Sequence, residues 1–467
     1  MTPNSQRIFN PHAGPDYPKS KDGWVEQFLA IALWGMIFPG FALAVLATAP
    51  YGVDSRQLTI PFRAIILGLT GYVFVHALMK RMPKYSGGWL AVVGLFATTY
   101  LLALWINPRV ELAGRDRDEI ILQFLGTGIL PMLGGLVTFG PRAVKKATVV
   151  LLCIAMAANA IILTLYQGLF GTGFMRVRVA EVYGDVIATS PLFLSYTASL
   201  TACLGIFVIV CNPGKFRLAL RYTLGFSALG MSMGSMLLGA SRGSMAVVFG
   251  VVMLLMFASA TSWKVAIQRM IPLVVTVSVY VGLLIVLGER LDSGLHNRMV
   301  QLYDGVQAGQ FDDRSAQGRV YLWEAGWNAF MSSPLYGGTI SLDGNYPHNS
   351  IIEAFMAAGL LGGIPFVIVS FFALYRSYQL IKTNDYRSVF SILYLHYFLQ
   401  TLVSYSISNN PTFWFSLALV LSTLAWPKVR ARGQQRLTPA TNPTAAMPGA
   451  PVLPGPQPNP TMRVALP

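Results

Sequence analysis

The stretch Tyr346-Pro347-His348-Asn349-Ser350-Ile351-Ile352-Glu353-Ala354-Phe355-Met356-Ala357-Ala358-Gly359-Leu360-Leu361-Gly362-Gly363 changes character partway along. Its first residues close the longest hydrophilic segment of the chain, and from Ile351 it becomes an apolar run interrupted by glycines. The pattern predicts an imidazole held at a membrane boundary, at the mouth of an apolar helix. The rest of the chain can then be read by asking which other groups share a membrane side with His348.

Composition supports a membrane reading. Of 467 residues, 54% are hydrophobic and 11% are charged, with a mean hydropathy of +0.54. Soluble chains carry about 25% charged residues. Lipid offers no partner to exposed backbone, so spans must be helices or a closed barrel. Here the apolar runs are continuous rather than alternating, which favours helices. The net charge of +15 would raise nucleic acid as a partner in a soluble protein; here Lys- and Arg-loaded loops on one membrane side account for it. Cys153, Cys203 and Cys211 all fall inside apolar runs and read as small core residues.

Apolar runs lie near 25–48, 60–79, 88–106, 119–139, 146–167, 189–211, 217–238, 243–260, 267–288, 357–375, 388–406 and 411–426. At about 1.5 Å per residue each can cross a core of roughly 30 Å. The expected fold is therefore an all-α polytopic membrane protein of about 12 transmembrane helices. Residues 1–24 form an N-terminal tail, 25–288 the first nine helices, 289–356 a helical segment outside the bilayer, and 357–427 the last three helices. Residues 428–467, rich in Pro, Ala and Thr, are expected to be disordered.

Loop charges test this layout. Alternate connections carry Lys80, Arg81 and Lys84; Arg142, Lys145 and Lys146; Lys215, Arg217 and Arg221; Lys264 and Arg269; Arg376, Lys382 and Arg387, with Asp385 as a lone acid. The intervening loops mix signs, as in Arg115-Asp116-Arg117-Asp118-Glu119. The positive-inside rule then places both termini in the cytoplasm. Arg176, Arg178, Arg242 and the segment 289–356 fall on the far side. Within that segment, Leu295–Val306 and Arg319–Met331 read as amphipathic helices lying on the membrane surface.

Lone histidines are more often structural than catalytic, and His76 and His396, inside apolar runs, take that reading. His348 stands apart: it follows Pro347, adjoins Asn349, and precedes Ser350, a possible N-cap. An imidazole titrating near neutrality suits a general base. Arg242 lies in the small-residue turn Gly239-Ala240-Ser241-Arg242-Gly243-Ser244, where an anion can approach the backbone. Snorkelling to the headgroups would also explain it. Arg176 and Arg178 would share a face on an extended strand, and Arg319 heads the second amphipathic helix. Solvated loop charges or a surface salt bridge are the plainer readings of these three. Guanidinium forks grip phosphate oxygens in pairs and keep their proton. Together these groups suit displacement at a carbon bearing a diphosphate, with arginines on the leaving group and the histidine taking a proton from the incoming hydroxyl.

The ordered set Ser241-Arg242-Gly243, Gly318-Arg319-Val320-Tyr321-Leu322-Trp323, Ser333-Pro334-Leu335-Tyr336-Gly337-Gly338 and His348-Asn349 followed by Glu353 and Gly359-Leu360-Leu361-Gly362 resembles the O-antigen ligase/polymerase superfamily of bacterial inner membranes. The resemblance implies a metal-independent, inverting glycosyltransferase of the GT-C type, with no cofactor. Its active site would face the periplasm of the bacterial inner membrane. Its ligases move O-antigen from undecaprenyl diphosphate to a sugar hydroxyl of lipid A–core, making lipopolysaccharide. The resemblance makes His348 the catalytic residue, with Arg242 and Arg319 on the diphosphate. Arg176 and Arg178 join them by topology, and Asn349 and Glu353 support the histidine. It leaves open whether His348 is itself the base or orients Glu353 or another acid. Polymerases of repeat units and protein O-oligosaccharyltransferases share these motifs. Polymerases usually carry more than one long outer loop, whereas here only 289–356 is long. A lipid flippase or transporter is the reading from another class, with Arg63 and His76 as its best residues.

Overall fold

A computed structural model of the protein describes residues 23–51, 53, 55–80, 87–107, 110–112, 114–166, 191–211, 216–239, 241–259, 263–290, 296, 300, 303–304, 314–383 and 385–425. Arg176, Arg178, the tail 428–467 and most of the helix expected over Leu295–Val306 lie outside these. The described residues are helical apart from turns and two isolated bridges, Leu112 with Arg115 and Leu342 with Asn345.

All of the apolar runs carry helix. The order is α1 (Trp24–Gly35), α2 (Phe41–Thr48), α3 (Ser55–Lys80), α4 (Gly87–Ile106), α5 (Arg117–Gln123), α6 (Leu130–Gly135), α7 (Pro141–Tyr166) and α8 (Pro191–Cys211). It continues with α9 (Leu218–Gly239), α10 (Arg242–Ser259), α11 (Trp263–Arg290), α12 (Arg314–Ser332), α13 (Ser350–Lys382), α14 (Ser388–Thr401) and α15 (Pro411–Ser422). Among the described residues, seven segments are long and apolar enough to cross a membrane: Trp24–Thr48, Leu58–His76, Gly88–Ile106, Pro141–Leu165, Leu192–Cys211, Met270–Arg290 and Ser350–Lys382. The protein is thus a multi-pass membrane protein. Arg242–Ala258 and Pro411–Ser422 are shorter apolar helices.

Burial sorts these helices into inner and outer ones. Over Leu192–Cys211, α8 is buried on 94% of its window, so its apolar surface meets protein all round. In α11 Val275, Val279 and Ile285 stay exposed, as expected of a lipid-facing wall. The core is aromatic around Trp414 of α15. Phe96 packs on Phe366 at 5.0 Å between ring centroids and on Trp414 at 5.8 Å. Such ring pairs add about 0.5–1.5 kcal/mol beyond the area they bury.

The run 119–139 is not one regular helix. Asp116 caps α5 by accepting the Glu119 N–H at 2.9 Å, and over Phe124–Ile129 the ladder widens to a π-helix before α6. Glycines explain the packing here: a Cβ on Gly135 would sit 2.7 Å from the Phe415 carbonyl oxygen. A second π turn, Met36–Gly40, separates α1 from α2 and contains Pro39. Proline has no N–H to give, so the ladder must re-register there.

The two ends of the bundle differ in charge. At one end Lys145 lies over the Phe216 ring at 5.8 Å, Arg221 donates to the Ile209 carbonyl, and Arg376 donates to Thr423 Oγ1 at 3.1 Å. There Asp385, the lone acid of the basic loops, pairs with Arg387 at 2.6 Å. Helices α8, α13 and α15 join the two ends: Pro191, Ser350 and Pro411 begin them at the other end, and Cys211, Lys382 and Ser422 close them at this one. The second end carries His348, Arg242 and Arg319.

Candidate active site at one end of the bundle

His348 sits in a turn held open by its neighbours. Asp343 and Gly344 take positive φ, and Leu342 and Asn345 exchange backbone hydrogen bonds of 2.8 and 3.0 Å. His348 itself has φ of 54°, a left-handed conformation that costs a non-glycine residue about 1–3 kcal/mol. The N-cap of α13 is Asn349 rather than Ser350: its side chain accepts the Ile351 N–H at 3.0 Å and the Ile352 N–H at 3.2 Å. Ser350 is buried and meets Thr401 Oγ1 at 2.9 Å. Its oxygen thereby satisfies two of the unpaired N–H groups of the first turn.

The Ser404 carbonyl fixes the imidazole. It accepts from His348 Nδ1 at 3.2 Å and from the Tyr346 hydroxyl at 3.0 Å. Since a carbonyl only accepts, Nδ1 must carry the hydrogen, which leaves Nε2 as the lone-pair nitrogen of the neutral ring. The Tyr346 and His348 rings lie 4.2 Å apart between centroids. Burial lowers the His348 pKa below its ordinary 6.5; the Ser404 bond opposes this and the Arg319 charge reinforces it. The ring is therefore neutral at pH 7. Burial pushes Tyr346 up to about 12, so its hydroxyl remains a donor.

Arg319 is positioned by a clamp between α12 and α13. At Gly359, with φ 58° and ψ −157°, α13 breaks. The segment Ser333–Gly338 replaces the lost ladder. Gly338 N–H donates to the Ala357 carbonyl at 2.9 Å, and Leu360 N–H donates to the Pro334 carbonyl at 2.8 Å. A Cβ on Gly337 would lie 2.5 Å from the Gly359 nitrogen, and one on Gly359 would strike the Leu335 carbonyl. Phe330 packs on Phe355 at 5.3 Å, and Gly326 leaves room for Ile352 and Pro347. The glycine motifs thus lock the two helices together, and the lock sets Arg319 beside the imidazole.

Arg242 begins α10 in the expected turn. The Ser241 N–H donates to Ser195 Oγ at 3.2 Å, and a Cβ on Gly243 would lie 3.0 Å from the Tyr196 hydroxyl. That hydroxyl donates to Ser404 Oγ at 2.6 Å, the residue whose carbonyl holds His348. The Arg242 and Arg319 guanidiniums lie within electrostatic reach of one another, as do Arg319 and His348. Arg242, Arg319 and His348 are therefore neighbours on one side, all half-buried.

Glu353 is fully buried. Its carboxylate accepts the Ser406 hydroxyl at 2.6 Å and the Ile407 N–H at 3.0 Å, pinning the turn that contains Ser404. His396 is likewise structural, with Nε2 2.9 Å from Ser199 Oγ inside the core. Sequence reasoning missed Tyr196, Ser404 and Tyr346. Ser404 acts through its backbone, which no residue pattern reveals. Tyr196 comes from a helix about 150 positions from the histidine in the chain, whereas Tyr346 stood two residues from it and could have been weighed.

The architecture is that of a polytopic helical membrane protein with an imidazole beside Arg319, and Arg242 within reach of Arg319, at one end. Residues 226–367 match the family model described as O-antigen ligase, which supports membership of that superfamily. The matched segment contains Arg242, Arg319, His348, Asn349 and Glu353 and excludes Tyr196 and Ser404. No curated protein and no solved structure matches the chain.

Proposed function

We propose that the protein is an O-antigen ligase. In this reading it transfers glycan from undecaprenyl diphosphate to a sugar hydroxyl of lipid A–core, at the periplasmic face of a bacterial inner membrane. The observation that carries it is the meeting of Arg242, Arg319 and the His348 imidazole at the end of the bundle opposite the basic loops. By the positive-inside rule that end is periplasmic and both termini are cytoplasmic.

The reaction needs no metal in this scheme. His348 Nε2 takes the proton of the acceptor hydroxyl, and that oxygen attacks the anomeric carbon from the face opposite the diphosphate. The bond from carbon to the diphosphate oxygen breaks, and the configuration inverts. Arg242 and Arg319 stabilise the charge that gathers on the departing diphosphate. Removing one such donor typically costs about 10²–10³ in rate. Arg176 and Arg178 are proposed to reach the same diphosphate. Asn349 and Glu353 hold the backbone on which the imidazole rests.

The test is genetic. Strains carrying His348→Ala or Arg242→Ala, with normal protein levels, should make lipopolysaccharide lacking O-antigen. Fully capped lipopolysaccharide in both strains would refute the reading.

A further inference from the structure

A second cationic cavity lies on the other side of Tyr196 from the imidazole. Two hollows, of ≈ 510 Å³ and ≈ 720 Å³, meet at Thr59, Arg63 and Arg115. Each falls in the volume range of sites that enclose a small ligand, about 300–1,000 Å³. Tyr196 and Tyr405 line the first hollow, so it abuts the wall that anchors His348. The two π turns border them: Met36–Gly40 supplies Met36, Ile37, Phe38 and Pro39 to one, and Phe124–Ile129 supplies Gly126 and Thr127 to the other. Such bulges recur at functional sites because they turn backbone and side chains out of the regular ladder.

The charged lining is mostly cationic. Arg63 Nη2 reaches Asn409 Oδ1 at 3.5 Å, and Arg115 Nη1 reaches Gln123 Oε1 at 3.2 Å. The Arg63 and Arg115 charges repel each other across the cavity. Glu119, in the second hollow, is the one carboxylate among the described lining residues. Among the described residues Gln123 Nε2 and Asn410 Nδ2 are buried with no hydrogen-bond partner, and their residues are only 5% and 2% exposed. Gln123 spends its oxygen on Arg115, and Asn410 spends its oxygen on the Phe413 N–H, so each is left with N–H groups. Buried donors without partners are rare and costly, as are like charges on a membrane span. An anion held between Arg63 and Arg115 answers their repulsion. The remaining walls, with Val45, Phe62, Ile66 and Leu200, are apolar, which suits a phosphate carried on a hydrocarbon chain rather than a free ion.

We propose that this cavity is a second lipid-phosphate site, separate from the Arg242–Arg319 site, and that its occupant is the phosphorylated acyl lipid that serves as acceptor. Only the naming of the occupant rests on the transfer reading. Arg63 and Arg115 grip the phosphate, and the Tyr196–Tyr405 wall separates it from His348. The acceptor's sugar then projects past that wall toward Nε2, while the donor diphosphate approaches from the Arg242 side.

Native mass spectrometry of the purified full-length protein in detergent tests this, using bisphosphorylated lipid A, its dephosphorylated form, undecaprenyl diphosphate and inorganic phosphate as probes. The expected result is a ternary species holding one lipid A and one undecaprenyl diphosphate. Lipid A binding should fall at least tenfold on dephosphorylation and in Arg63→Gln/Arg115→Gln, and should survive in Arg242→Gln/Arg319→Gln. Inorganic phosphate should compete poorly. Mutually exclusive binding of the two lipids in the unaltered protein would overturn the proposal without recourse to any variant. So would equal binding of the dephosphorylated lipid, or displacement by inorganic phosphate at low concentration. Binding is read without turnover, so a protein that holds both lipids yet transfers nothing would sink the transfer reading and leave this site standing.

Discussion

The Tyr196 hydroxyl donates to Ser404 Oγ at 2.6 Å, joining the helix beside Arg242 to the turn that orients His348. Two groups assigned to opposite sides of the reacting carbon are thereby held by one bond. Tyr196→Phe removes that bond and little volume. A lost hydrogen bond of about 1 kcal/mol that loosens the imidazole should lower turnover by about fivefold to tenfold. Transfer rates and thermal unfolding of purified protein check this; a rate unchanged within twofold would show that the bond does not serve the imidazole.

Acid should switch the reaction off through His348. Protonated imidazole cannot accept the hydroxyl proton, so activity is present above the His348 pKa and lost as pH falls through it. Burial lowers that pKa, so the acidic limb should fall below the ordinary 6.5. Arg319→Gln removes a repelling charge and should move the limb upward, besides raising KM for the donor. A pH profile of kcat/KM for both proteins measures the shift; a limb that stays in place would remove Arg319 from the imidazole's surroundings.

Asn349 separates two effects. Asn349→Ala loses the cap to Ile351 and Ile352 and should cost about 1 kcal/mol of stability. Asn349→Asp keeps the cap and puts an anion beside His348, so stability should hold while the acidic limb rises. Melting curves and pH profiles read the two independently.

Gly359→Ala should be among the most damaging changes far from the chemistry. The new Cβ meets the Leu335 carbonyl at a backbone angle of φ +58°, a strain of about 1–3 kcal/mol. Part of the relief must come from parting α12 from α13, which moves Arg319. Loss of thermal stability together with a raised donor KM is the expected pair of results.

Much of this was legible in the residues. Apolar run length alone gave helices wherever the described residues allow a comparison, and Gly359 announced the break in α13. His348, Arg242 and Arg319 could be put on one side because loop charges report sidedness without any contact being known. The π turn at Phe124–Ile129 was hidden, since hydropathy is blind to the register of the ladder. Ser350 looked like the cap because serine often is one, yet Asn349 takes that place. Arg63 pointed to transport when seen alone on a span; its meaning changes once Arg115, from a separate loop, shares its cavity.

The central claim is that His348 serves as the base for glycan transfer from a lipid diphosphate gripped by Arg242 and Arg319. The most direct measurement gives purified protein an undecaprenyl-diphosphate-linked glycan and, in parallel, lipid A–core or a second lipid-linked repeat unit as acceptor. The account predicts inverted product on lipid A–core, none with His348→Ala despite undiminished donor binding, and little product on the repeat unit. Product formed by His348→Ala at the unaltered rate, or formed on the repeat unit alone, would contradict it.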